Sequence, residues 1–68
     1  MQLIPYQALI SHSDNLKRMR EAQAKIAHIG GKVVIEPPNH LGMTLVTLCL
    51  PSSYTPEQVV PGIPFYPM

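Results

Sequence analysis

Little in this sequence can crosslink the chain. It holds one cysteine, Cys49, among 68 residues, which excludes an internal disulfide. Its three histidines, His12, His28 and His40, are scattered, and so are Met1, Met19, Met43 and Met68. A metal site needs closer ligand pairs, such as two histidines at helical spacing, so no metal is expected. Charge is scarce as well. Charged residues make up 13% and the formal net charge is +1, against about 25% charged in a typical domain. No global attraction to nucleic acid or membrane follows from that balance.

Catalytic groupings are missing too. The four acids, Asp14, Glu21, Glu36 and Glu57, stand too far apart in sequence to suggest paired carboxylates. Gly30-Gly31 follows a helical pattern instead of opening one, so it does not read as a phosphate cradle. Cys49 has no basic neighbour in sequence and sits in the most apolar segment. There it reads as a small buried hydrophobe and not as an activated nucleophile. Neither an enzyme nor a cofactor is expected.

No apolar run approaches the ~20 residues that span a bilayer. The longest, Met43 to Leu50, is interrupted by Thr44 and Thr47. The opening MQLIPYQALISH has neither a basic n-region nor a long apolar core, so no signal peptide is expected. With a free cysteine, these features point to a cytoplasmic protein with no membrane contact.

Hydrophobic residues, in contrast, make up 46% of the chain, enough for a folded core and too many for disorder. A chain of this length is one domain at most. It buries roughly 60% of the surface its unfolded form exposes and is marginal alone. Lacking a disulfide or metal, it is expected to gain stability from a partner or from self-association.

The apolar pattern divides the chain into elements. Residues 2 to 11 alternate as a strand, with Tyr6, Ala8 and Ile10 on one face. Pro5 marks an edge or a lead-in. Residues 14 to 29 form a helix with Ser13 as N-cap and Asp14 in the first turn. Leu16, Met19, Ala22, Ile26 and Ile29 make its apolar stripe, and Gly30-Gly31 ends it. KVVIE, 32 to 36, is a second strand that Pro37-Pro38 terminates. MTLVTLCL, 43 to 50, is a third. Its alternate sets, Val46, Leu48, Leu50 and Leu45, Cys49, are both apolar, as in a central strand covered on both sides. Met19, Ile26, Val34, Leu45 and Leu48 are the expected core.

The last 18 residues, 51 to 68, hold five prolines and one charge, Glu57. Thr55-Pro56-Glu57-Gln58 reads as a short helical turn with threonine as N-cap and proline first. PGIPFYPM reads as an extended arm that packs on the 1–50 core or on a partner. The fold class is therefore α+β: a small β-α-β-β sandwich, reduced ferredoxin-like, with one main helix on a three- or four-stranded mixed sheet. Strand three lies between strands one and two, with Ile63 to Tyr66 beside strand one. In outline this layout resembles small inhibitor and propeptide domains.

One helix covers one face of a sheet, yet strand three is apolar on both. The expected function is a non-catalytic protein-binding or regulatory module, acting as a homodimer or on another protein. Ile63, Phe65, Tyr66, Val46 and Leu48 are the candidate partner-binding residues. A second reading starts from the five basic residues, Lys17, Arg18, Arg20, Lys25 and Lys32, which all fall between positions 17 and 32. They could contact phosphates of a nucleic acid, although Glu21 lies among them and no aromatic platform accompanies them. A third reading is a small-molecule pocket at a dimer interface. PxxP spacings at Pro61-Pro64 and Pro64-Pro67 could serve as docking ligands, but no basic residue flanks them.

Overall fold

The computed structural model describes residues 2–68, so Met1, the first residue of the expected 1–50 core, lies outside the described residues. Strand β1 spans Leu3–Ser11, helix α1 His12–His28, β2 Lys32–Ile35, β3 Met43–Pro51, the short helix α2 Pro56–Val59 and β4 Tyr66–Pro67. Together they make a small α+β fold with one main helix on a four-stranded sheet. The strand order is β2-β3-β1-β4, which places β3 between β1 and β2. Every ladder is antiparallel, which corrects the expected mixed sheet. β1 and β2 run parallel to each other, but β3 separates them, so no parallel ladder forms.

The helix opens two residues earlier than its capping pattern suggests. Ser11 is both the last residue of β1, paired with Met43, and the N-cap of α1. The His12 N–H donates to the Gly42 carbonyl at 2.9 Å, and the Asn15 side chain donates to the Ser11 carbonyl at 2.8 Å. Strand and helix are thereby joined without a linker, and Ser13 falls inside the helix. At the other end, the Gly31 N–H reaches the Ile26 carbonyl at 2.8 Å and the Gly30 N–H reaches that of Ala27 at 3.3 Å. This is a Schellman stop, with Gly30 at φ 83° in the left-handed region that glycine enters freely.

Gly31 has a different role. A Cβ there would lie 2.7 Å from the Cys49 carbonyl oxygen and 2.7 Å from Ile26 Cγ2. Its missing side chain lets the chain leave α1 and enter β2 in direct contact with β3. The β2–β3 connection closes on Asn39, whose side-chain oxygen accepts from the Leu41 and Met43 N–H groups at 2.9 and 3.0 Å.

The core lies between α1 and one face of the sheet. Met19, Ala22 and Ile26 of α1 meet Ala8 and Ile10 of β1 and Val46, Leu48 and Leu50 of β3. Ile26 is 0% exposed, and burial of such a side chain contributes about 1.5–3 kcal/mol. Residues 51–68 complete this core, because Val59, Val60 and Ile63 are buried in it and Phe65 packs against it. The Gln58 side chain accepts from the Thr55 N–H at 2.9 Å and fixes the start of α2. Ile63 therefore enters the core and does not pair beside β1; only Tyr66 and Pro67 extend the sheet there.

Pro5 sits inside β1 without breaking the β1–β3 ladder. Its carbonyl accepts from the Met68 N–H at 3.1 Å. In an antiparallel pair the N and C=O of one residue point the same way, so the missing donor falls on the β4 side.

Candidate functional site

Alternation along the strands decides which side chains the helix covers. Tyr6, Ala8, Ile10, Val33, Ile35, Thr44, Val46, Leu48 and Leu50 share the helix side. Leu3, Pro5, Gln7, Leu9, Lys32, Val34, Leu45, Thr47 and Cys49 share the other. The ladders align this second set into rows: Leu9 opposite Leu45, Gln7 opposite Thr47 and Tyr66, and Val34 opposite Thr47. No element of the described residues packs over it.

The exposed apolar side chains concentrate there. Leu9 is 59% exposed, Val34 46% and Leu45 37%, and Leu3, Tyr66 and Met68 are exposed beside them. Leu16, Leu41 and Tyr54 are exposed elsewhere. The projected footprint of the face is roughly 30 by 15 Å, taking nine residues per long strand and the spacing of neighbouring strands. Gln7 and Thr47 interrupt this face, and the exposed apolar residues around them form a cluster of the kind that marks a contact surface.

Among the described residues only two charged side chains stand on this face, Lys32 and Glu36. The Glu36 N–H donates to the Leu45 carbonyl at 3.0 Å, which continues the β2–β3 register by one residue past Ile35 and puts Glu36 on the Val34 side. Lys32 and Glu36 thus flank Val34 at equal distances along β2, with opposite signs. β1 and β3 contribute no charge to the face.

Several expected site residues lie elsewhere. Val46 and Leu48 are fully buried beneath α1, so they cannot present a partner-binding surface; the other alternate set of β3, Leu45, Thr47 and Cys49, is the uncovered one. Val34 and Leu45, expected in the core, stand on this open side for the same reason. Ile63 is buried, Phe65 is half-buried against the core, and Tyr66 alone of the three is exposed, opposite Gln7. Cys49 is half-exposed on the open face, across from Pro5 and Lys32, and not deep in the core. His12 is half-buried, its Nδ1 3.1 Å from the hydroxyl of the buried Thr44.

The five basic residues do not converge on one site: Lys17, Arg18 and Lys25 lie along one side of α1 with Asp14 and Glu21 among them, while Arg20 and Lys32 stand apart. Lys17 and Arg18 flank Asp14 and Glu21 on one side of α1, where the Arg18 guanidinium lies over Gly62. Arg20 lines a different cleft with His12 and Thr44. Lys25 lies at the far end of α1, and Lys32 is on the opposite side of the sheet. Among the described residues no group of three or more His, Cys, Asp or Glu side chains could hold a metal ion, and no helix is long and apolar enough to cross a membrane. No family model, curated protein or solved structure matches the chain.

Proposed function

We propose that the chain is a small non-catalytic binding module that self-associates as a homodimer through the uncovered face of its sheet. The observation that carries this reading is the segregation of Leu9, Val34, Leu45 and Tyr66, all exposed, onto one side of the sheet. Within the same reading the unit is a reduced ferredoxin-like fold. The order β1-α1-β2-β3-α2-β4 and the strand order β2-β3-β1-β4 support it, with a one-turn α2 and a two-residue β4 as the reduction.

A second copy is the occupant favoured by charge. A two-fold axis lying in the interface between two facing sheets, perpendicular to β2 and passing over Val34, brings Lys32 of one protomer to Glu36 of the other, twice. The face is thus complementary to itself, as a two-fold interface requires. Edge-to-edge pairing is disfavoured. On β2 only Val33 and Ile35 turn their backbone groups outward, and Pro37 follows with no donor. On β4, Pro67 occupies the outer edge.

Sedimentation of the full chain across micromolar concentrations tests the reading. A dimer is expected, and Leu45→Glu is expected to give a folded monomer. A wild-type chain that stays monomeric at high micromolar concentration overturns the proposal, as does a Leu45→Glu chain that remains dimeric.

A further inference from the structure

The second concavity of interest lies on the helix side of the sheet, away from the face proposed to self-associate. It is a groove of about 390 Å³ between the last turn of α1 and the segment that leads into α2. The size is within the range of small-ligand sites. Ile29 and Val59 supply apolar walls, with the ring of Tyr54 beside them. Val59 is anchored in the core and Ile29 packs against it, so these walls are fixed.

The polar rim is one-sided. Lys25 and His28 stand at the end of α1, and Ser53 and Gln58 come from the other bank. No acid lines the groove. Lysine can only donate, and the ring of histidine and the hydroxyl of serine can donate. The Gln58 side-chain oxygen already accepts the Thr55 N–H at 2.9 Å, which leaves its NH₂ group as the free end. Apolar walls with a cationic, donor-bearing rim complement an apolar body that ends in a carboxylate. A phenyl ring on a short carboxylate arm suits a groove of this size.

We infer that this groove binds small carboxylates with an apolar or aromatic body, the ring lying on Ile29, Tyr54 and Val59 and the carboxylate at Lys25 and His28. The site is complete within one protomer, so it stands whether or not the chain dimerises.

Amide chemical-shift titration of the full chain with hydrocinnamate tests the inference, with hydrocinnamyl alcohol as the neutral counterpart. Saturable shifts at Ile29, Tyr54 and Val59 are expected in the millimolar range, with weaker binding of the alcohol. Lys25 and His28 are both exposed, so Lys25→Gln with His28→Gln should keep the fold and weaken hydrocinnamate by about two- to fivefold, the scale of one exposed ion pair. Absence of saturable shifts in the groove overturns the inference. So does equal binding of acid and alcohol, or undiminished binding by the folded double variant.

Discussion

Leu9 and Leu45 stand directly opposite each other across the β1–β3 ladder, on the side of the sheet that carries no helix. Two leucines paired in the open are the centre of the uncovered face. Either one should tolerate a charge without loss of the fold, because neither belongs to the buried cluster. We expect Leu9→Glu to change the unfolding free energy by no more than about 0.5–1 kcal/mol, the scale of exposed substitutions and cross-strand pairs, while abolishing association. Thermal unfolding and sedimentation on the same sample check both parts. A variant that unfolds would show that Leu9 supports the monomer core.

Ile26 is the contrasting case. It is fully buried at the centre of the α1 stripe, where Ile26→Ala should cost about 2–5 kcal/mol. In a chain of this size that is a large part of the total stability. Denaturant unfolding measures it, and an unchanged midpoint would mean that α1 does not cover the sheet through this residue.

The helix, the Met19, Ala22 and Ile26 part of its apolar stripe, its glycine stop and the first three strands were legible because their periods are local; Leu16, read into the same stripe, is exposed. Which alternate set of β3 meets the helix was not legible. Leu45 and Cys49 are as apolar as Val46 and Leu48, and a one-residue difference in alternation exchanges the two sets. The decision lies in contacts distant in sequence. Ala8 and Ile10 bring their side of β1 beneath α1, and Thr44 on the same side receives His12. The start of α1 was misplaced for a similar reason, since Ser11 and His12 are held by Met43 and Gly42. The groove was invisible in sequence because Lys25 and His28 meet Tyr54 and Val59 only after folding. Residues 51–68 look like an arm by composition, yet Val59, Val60 and Ile63 belong to the core. A chain ending at Ser53 would therefore lose core as well as tail and could not report on association.

Two glycines should respond oppositely to the same replacements. At Gly31 the backbone is ordinary and the obstacle is space, with a Cβ 2.7 Å from a carbonyl oxygen of β3. At Gly42 nothing lies within 4 Å, and the obstacle is φ of 75°. Alanine at Gly31 should cost roughly 3 kcal/mol, at the upper end of overpacking, and asparagine there more. Alanine at Gly42 should cost about 1–2 kcal/mol, and asparagine less, because it tolerates the left-handed region. Denaturant unfolding of the four variants gives the order, and asparagine milder than alanine at Gly31 would contradict the close approach of β2 to β3.

The charge pair on the open face gives the sharpest test of how two copies meet. Lys32 and Glu36 lie on the same side of β2 with Val34 between them, so a two-fold axis in the plane of the interface, crossing β2 over Val34, pairs Lys32 of each copy with Glu36 of the other. Lys32→Glu would set two glutamates against each other on both sides of the axis, and Glu36→Lys would do the same with lysines. Exposed pairs of this kind contribute about 0.2–1 kcal/mol each. Converting two attractions into two repulsions should weaken dimerisation by about tenfold, more at low ionic strength and less as salt screens the contact. The chain carrying both Lys32→Glu and Glu36→Lys restores opposite signs across the axis and should regain the lost affinity. Apolar burial alone would leave all three variants with equal dissociation constants, and an axis elsewhere on the face would leave the double variant no better than the singles. Recovery in the double variant is the outcome that only the axis through Val34 provides.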